Sequence, residues 1–398
     1  MDTVRVSDVT TVAQDGWVTR SARVDGVRVV GGAPRLWFRV PEDWARWLTP
    51  DADPFLAAML PGASRLGRPL VIEGEVSWRL LAQARQLMEL WSWRDSRYRR
   101  VRVDAGSSST RHDGTAVGCF FSAGLDSFYT LLKNHDLERA TGRVTHLLCV
   151  LGYDLQHDNE TMFDVVLGRV REIAAELGVE VIPVKTNLRA FTDLQAQWQW
   201  HQMGPGLAAV GLALGPLFHR ILVPSGDTHL PSVLLAPSNA LLDPLWSTDS
   251  TEFVHDGCEA TRMQKVQWRI AGSKLALRHL RVCYENERAG ASQAYNCGRC
   301  PKCVRTILSL HVAGALQDCA TFDGARATPE AIRSLAGDTD HSASYLEEVL
   351  ALLREQEREP ELQDALQFAL RASRRFRVRL RDAWRQDFRR GWRRLFRR

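Results

Sequence analysis

Residues 116–132 read Ala116-Val117-Gly118-Cys119-Phe120-Phe121-Ser122-Ala123-Gly124-Leu125-Asp126-Ser127-Phe128-Tyr129-Thr130-Leu131-Leu132. An apolar strand from Ala116 to Phe121 runs straight into a loop of small and hydroxylated residues and then into a helix. Backbone amides at a helix N-terminus, small residues that permit close approach and two hydroxyls together make an anion site able to cradle a phosphate chain. Asp126 is disfavoured beside phosphate unless a cation lies between them, which makes it a candidate magnesium ligand. The plain alternative is a strand-to-helix turn capped by Ser122 or Asp126.

Outward from this segment the pattern alternates. Strands are expected at Val144 to Leu151, Val179 to Val184 and Arg220 to Val223, with helices at Asp126 to Leu137, Met162 to Leu177 and Leu207 to Leu214. Such alternation predicts an α/β fold, an open and mainly parallel sheet with helices on both faces. Before it, residues 1–105 read as a small α+β domain. A hairpin is expected from 23–30 to 35–40 around Gly31-Gly32-Ala33-Pro34, then a helix opened by Asp53 and Pro54, a strand at 70–73, a helix at 77–91 and a strand at 98–103. The polar run Ala105-Gly106-Ser107-Ser108-Ser109-Thr110 is expected to be the linker. The resulting division is 1–105, 114–320 carrying the phosphate loop and a cysteine cluster, a helical extension 321–370, and a tail 371–398.

Of 398 residues, 45% are hydrophobic and 25% charged, ordinary globular values. The net charge of +5 is unevenly placed: residues 371–398 hold 13 arginines against Asp382 and Asp387, a local +11, which leaves −6 for the rest. The body is therefore not expected to hold polyanions by bulk charge. In the tail Phe376, Leu380, Trp384, Phe388, Trp392 and Phe396 recur every four residues among arginines, an amphipathic helix suited to an anionic membrane surface, to RNA, or to packing on its own or a partner subunit, a homodimer included. Neither a secretory signal nor a transit peptide is expected from the opening Met1-Asp2-Thr3-Val4-Arg5, and the longest nearly apolar stretch, Gly206 to Phe218, is too short to span a bilayer. A cytoplasmic location, with or without peripheral membrane attachment, is the expectation.

Cys283, Cys297, Cys300 and Cys303 form the pattern Cys-x13-Cys-x2-Cys-x2-Cys. Two successive Cys-x2-Cys steps place three thiolates around one point and Cys283 supplies a fourth, the donor set of a closed structural zinc site, with an iron–sulfur cluster as the rival.

The loop Ser122 to Ser127 resembles the Ser-Gly-Gly-x-Asp-Ser signature of the PP-loop (N-type ATP pyrophosphatase, adenine nucleotide alpha hydrolase-like) family, with Ala123 where that family has glycine. Alanine can replace that glycine only at negative φ. Together with Cys283-Tyr284 and Cys297-Gly298, and with Tyr153, His157 and Glu160 after the second strand, it is similar over residues 114–312 to the 7-cyano-7-deazaguanine synthases. The resemblance implies that ATP is cleaved to AMP and pyrophosphate. Ser122, Gly124 and Ser127 would hold the pyrophosphate moiety within an ATP-binding loop that includes Ala123 and Leu125, Asp126 would hold magnesium, and the backbone from Val150 to Gly152 would face adenine. The implied reaction adenylates a carboxylate and resolves the mixed anhydride with a nitrogen nucleophile. Two alternatives stand: an RNA-modifying enzyme that thiolates or aminates a base, and a non-catalytic, membrane-tethered nucleotide-binding protein. The Gly-x-x-x-x-Gly-Lys-Ser/Thr loop of γ-phosphate-splitting NTPases is absent.

Weaker candidates remain for the substrate side. Gly226 and Asp227 follow a strand, where ligands of open sheets gather, or form a tight turn. Arg262 and Lys265 suit an acidic substrate or a solvated helix face, and His157 and Glu160 suit acid–base work on the resemblance alone. Cys119 and Cys258 are sulfur carriers or, more plainly, buried thiols.

Overall fold

A computed structural model describes residues 2–32, 35–135, 142–226, 228, 236–286, 294–336 and 340–373. The first strands are β1 (Val4–Gln14), β2 (Trp17–Asp25) and β3 (Arg35–Pro41). In β3 the residues Leu36, Phe38 and Val40 are buried and those between them are not, the period of two of a strand with one buried face. β2 and β3 form an antiparallel hairpin, paired from Trp17↔Pro41 to Arg23↔Arg35. Its first strand is 17–25 and not the expected 23–30. Gly26, at φ +83, has the Thr3 carbonyl where a Cβ would stand, so the extended run ends there. β1 escaped the alternation test because a bulge between Ser7 and Thr10 shifts its register.

Helix α1 (Asp53–Leu66) leads to β4 (Leu70–Ser77), α2 (Trp78–Arg94) and β5 (Val103–Ser108). β5 occupies much of the expected linker and pairs in parallel with β4. Every residue of α1 from Asp53 to Ser64 is buried, and the helix packs on α6, introduced below. Asp53 does not cap α1: Ala52 holds the N-cap position. The Asp53 carboxylate instead accepts from the Ser77 amide at 2.7 Å and the Ser77 hydroxyl at 2.5 Å, tying the start of α1 to the end of β4.

The remaining strands are β6 (Ala116–Phe120), β7 (His146–Leu151), β8 (Glu180–Thr186), β9 (Phe218–Pro224) and β10 (Glu252–Asp256), interleaved with α3 (Leu125–His135), α4 (Glu160–Leu177), α5 (Leu188–Thr192) and α6 (Met203–Ala213). These five strands are mutually parallel, in the order β10-β9-β6-β7-β8. All five residues of β6 are buried, as expected of a strand covered on both faces. Crossovers run from β6 to one side and return to the other, so strand order reverses between β6 and β9. In open α/β sheets the crevice at such a reversal, outside the carboxyl ends of the strands, is where ligands bind.

The sheet does not stop at β8. Beyond it come β3-β2-β1-β4-β5, giving one mixed sheet of ten strands. The joint is antiparallel pairing at Phe38↔Thr186 and Arg39↔Lys185. It is reinforced by the Trp37 amide donating to Asn187 Oδ1 at 2.9 Å, by Asn187 Nδ2 donating to the Arg35 carbonyl and by Thr186 Oγ1 donating to the Trp37 carbonyl. One continuous core runs from Val4 to Phe253. The expected boundary at residue 105 therefore separates nothing. The chain divides instead into a unit of Met1–Ala260 with Asn286–Gln293 and a second of Thr261–Glu285 with Ala294–Arg398.

The second unit holds α7 (Arg262–Lys265), α8 (Lys274–His279), α9 (Pro301–Val312), α10 (Pro329–Arg333), α11 (Asp340–Glu355) and a last helix over 360–373. Leu308, Ile332, Leu346, Val349, Leu366 and Ala369 are at its core. The expected boundary at 320 thus falls inside a unit. The basic tail lies, from residue 374 on, outside the described residues. Among the described residues no helix is long and apolar enough to cross a membrane.

Burial pushes the Asp53 carboxyl up to about 6, against the two Ser77 hydrogen bonds that lower it. A carboxyl with a raised folded-state pKa favours the native state below its unfolded value near 3.8, and that contribution is lost as pH rises through about 6. Asp53→Asn should therefore gain on wild type between pH 4 and pH 6.5, by on the order of 1–3 kcal/mol. Urea unfolding of both proteins across that range reads the difference directly; parallel curves would mean that Asp53 stays ionised in the fold.

Candidate functional site

The carboxyl end of β6 opens into the Ser122–Ser127 loop beside the reversal of strand order. The hydroxyls of both serines brace the loop. Ser122 Oγ accepts from the Gly124 amide at 3.3 Å; Ser127 Oγ donates to the Gly124 carbonyl at 3.0 Å and accepts from the Ser122 amide at 3.4 Å. Ser122 is exposed, Gly124 and Asp126 are half-buried, and Ala123, Leu125 and Ser127 are buried. Small residues and a helix start are thus presented at the carboxyl end of the parallel strands, while Leu125 and Phe128 anchor α3 in the core.

Ala123 corrects the expectation of negative φ. It adopts φ +57 and is fully buried. The loop keeps the left-handed turn that a glycine would take without penalty, at a cost of roughly 1–2 kcal/mol for the Cβ.

Two further segments face the same end of the sheet. Val150, half-buried, and Gly152 close β7. Gly152 has φ +112, and a Cβ there would lie 1.9 Å from the Thr186 carbonyl, so only glycine lets β7 turn past β8. Its amide donates to the Leu155 carbonyl at 2.7 Å. On the other flank, Gly226 is exposed at the end of β9, and Asp227 lies outside the described residues.

The residues matched after β7 separate by role. Tyr153 is buried, and its hydroxyl donates to the Gly206 carbonyl at 2.6 Å. His157 and Glu160 are exposed, and Glu160, in the first turn of α4, pairs with Lys185 at 3.1 Å. Asn159, absent from the expectations, is the N-cap of α4 and donates to the Asn286 carbonyl.

Behind the loop, α3 is fastened to the end of β10. Lys133 pairs with Asp256 at 2.9 Å and Glu259 at 2.8 Å, and the Tyr129 hydroxyl donates to Glu259 at 3.0 Å. Burial and that bond to Glu259 push Tyr129 up to about 12. Burial also raises the Cys119 and Cys258 thiols, the opposite of what a sulfur carrier needs.

In the second unit, α7 starts from a capping box of Thr261 and Gln264. Arg262 is half-buried, and Lys265 is only 1% exposed. The solvated-face reading therefore fails for Lys265.

The four cysteines meet within this unit. The Sγ atoms of Cys283, Cys297, Cys300 and Cys303 all lie within 4.8 Å of one another, and no other cluster of potential metal ligands occurs among the described residues. Gly298, at φ +72, lets the chain turn back. Cys297 Sγ then accepts from the Cys300 amide at 3.3 Å, and Cys300 Sγ accepts from the Cys303 amide at 3.5 Å as the N-cap of α9. Asn296 Oδ1 brings up the fourth ligand by accepting from the Val282 and Cys283 amides.

Tetrahedral zinc–thiolate bonds of about 2.3 Å require sulfurs about 3.8 Å apart; Cys297 and Cys303 are at 3.9 Å. Hydrogen bonds from the Cys300 and Cys303 thiols hold Cys283 far below the usual thiol range. The same coupling to Cys283 pushes Cys303 up, and Cys300 up to about 11. A bound cation would offset the repulsion among four thiolates. The group has the donors and geometry to hold a metal ion.

Two outcomes follow. Ala123→Gly should leave stability within about 1 kcal/mol of wild type, because relief of the left-handed strain offsets the lost methyl burial and the extra backbone entropy. Ala123→Val should cost more than about 2 kcal/mol; equal unfolding midpoints for the two variants would deny the strain. Cys300→Ser should lower bound metal from one per chain to well below one by elemental analysis and reduce thermal stability. Compared with protein-family models, curated proteins and solved structures, the chain matches none of them.

Proposed function

We propose that the chain is an ATP-dependent ligase of the PP-loop class: it activates a carboxylate, or a comparable carbonyl oxygen, by adenylation with release of pyrophosphate, and resolves the adenylate with a nitrogen nucleophile. The observation that carries this reading is the Ser122–Ser127 loop, left-handed at Ala123, at the carboxyl end of the central parallel strand and beside the reversal of strand order. Small residues, loop amides and the start of α3 suit the charge of a pyrophosphate group there. Ser122 and Ser127, whose hydroxyls already shape the loop, would reorient toward phosphate oxygens. Asp126 would hold magnesium, which neutralises charge developing on the departing pyrophosphate.

The backbone at Val150 and Gly152 offers the adenine a wall free of side-chain bulk. Activation makes the acceptor oxygen a good leaving group, and the chain's own contribution is positioning and charge stabilisation. Zinc at Cys283, Cys297, Cys300 and Cys303 would be structural, since four protein thiolates leave no position for a substrate.

ATP labelled at the α phosphate, incubated with magnesium and a pool of small carboxylic acids and ammonia, should yield labelled AMP and unlabelled pyrophosphate. Asp126→Ala should slow this by on the order of a hundredfold while leaving the unfolding midpoint near wild type. ADP as the main product, or an Asp126→Ala enzyme as fast as wild type, would remove the reading.

A further inference from the structure

Three residues far apart in sequence meet at the ends of β9 and β10. His255 Nε2 lies 2.8 Å from Ser225 Oγ, and His255 Nδ1 lies 2.7 Å from Asp243 Oδ2. A carboxylate only accepts, so Nδ1 carries the imidazole proton, and in the neutral ring Nε2 is then the acceptor for the Ser225 hydroxyl. Ser238 Oγ donates to the same Asp243 oxygen at 2.7 Å, which fixes the carboxylate. Among the described residues Asp243 Oδ1 is buried with no hydrogen-bond partner, leaving negative charge that an imidazolium on His255 would balance. The His255 and Asp243 side chains are 6% and 2% exposed, so this attraction acts with little water to weaken it.

The Ser225 backbone is equally constrained. Its amide donates to the Asp256 carbonyl at 2.7 Å, and the Thr130 hydroxyl of α3 donates to that same carbonyl. β6 and β9 are paired at Cys119↔Leu222; three residues further along each chain stand Ser122 and Ser225. The two serines thus leave neighbouring strands on the two sides of the crevice where strand order reverses.

We propose that Ser225, His255 and Asp243 are a nucleophile, base and orienting carboxylate, and that Ser225 Oγ accepts an activated acyl group. The order of contacts and the roles the hydrogen bonds impose are those of a Ser-His-Asp triad, which geometry identifies on any fold. The electrophile is a carbonyl carbon bearing a good leaving group. Choosing an acyl adenylate made at the Ser122 loop rests on the function proposed above. Oγ bonds to that carbon, its proton passes to His255 Nε2, and the bond from carbon to the AMP phosphate oxygen breaks to release AMP. His255 gives that proton to solvent, takes one from the amine as the amine attacks the Ser225 ester, and passes it to Oγ as the bond from carbon to Oγ breaks and the amide leaves. The serine is buried, 1% exposed, so its nucleophilicity is best read with a small electrophile.

Diisopropyl fluorophosphate is such a probe: Oγ displaces fluoride from phosphorus and the hydroxyl proton leaves with it. The full-length protein, without ATP, magnesium or acceptor, should gain one label per chain by intact mass, located on Ser225 by peptide mapping. Ser225→Ala should abolish it, and His255→Gln, with an unfolding midpoint near wild type, should slow it at least about a hundredfold. A native chain that stays unlabelled, or a His255→Gln protein labelled at the wild-type rate, overturns the proposal and leaves the trio a structural network. Since the probe needs no nucleotide, its failure leaves the ATP reading standing, and absence of AMP formation leaves the triad standing.

Discussion

β6 runs between β9 and β7 with every residue buried, and the candidate site depends on that placement. A strand paired on both edges and covered on both faces cannot shift register without moving polar groups into the core. The loop at its end is held correspondingly firmly. Leu125 and Phe128 bury the first turn of α3, so the chain has only Phe121 to Gly124 in which to turn from strand to helix. That shortness imposes the left-handed conformation on Ala123.

The same economy extends sideways. Gly152 passes so close to the Thr186 carbonyl that no side chain is tolerated, and Thr186 also bonds the Trp37 carbonyl across the joint with β3. The N-terminal strands therefore brace the edge of the parallel sheet next to the end of β7. They shield the β8 edge, whose unpaired amides and carbonyls would otherwise be open to a foreign strand.

The second unit solves its stability problem differently. Its helices are short apart from α9, α11 and the helix over 360–373, and the cysteine knuckle joins the start of α9 to the segment at Cys283. A cation there would couple its binding free energy to folding. Lys302 lies 5.6 Å over the Tyr284 ring beside the cluster, a favourable cation–π contact next to the thiolates.

Short-range features were legible in the sequence alone. The apolar runs of β6 to β9, the loop and start of α3, and the Cys-x2-Cys steps each depend on residues a few positions apart, whose spacing prescribes strand period, turn and ligand geometry. Where a bulge broke the period, as in β1, or polar residues filled a strand, as in β5, that signal failed. The continuation of the sheet past β8 depends on Phe38 and Arg39 pairing with residues almost 150 positions away, which no local pattern encodes. Lys265 carries a charge that by itself points to solvent, and only its packing shows it buried. No local pattern links Ser225, Asp243 and His255; they meet because parallel pairing of β9 with β10 brings their ends together and the turn at Asp243 folds back on both. The sequence by itself determined the local conformations and the cysteine donor set. The tertiary structure alone decided which distant side chains meet, because strand order and register are chosen by cooperative burial of the whole core and not by any one segment.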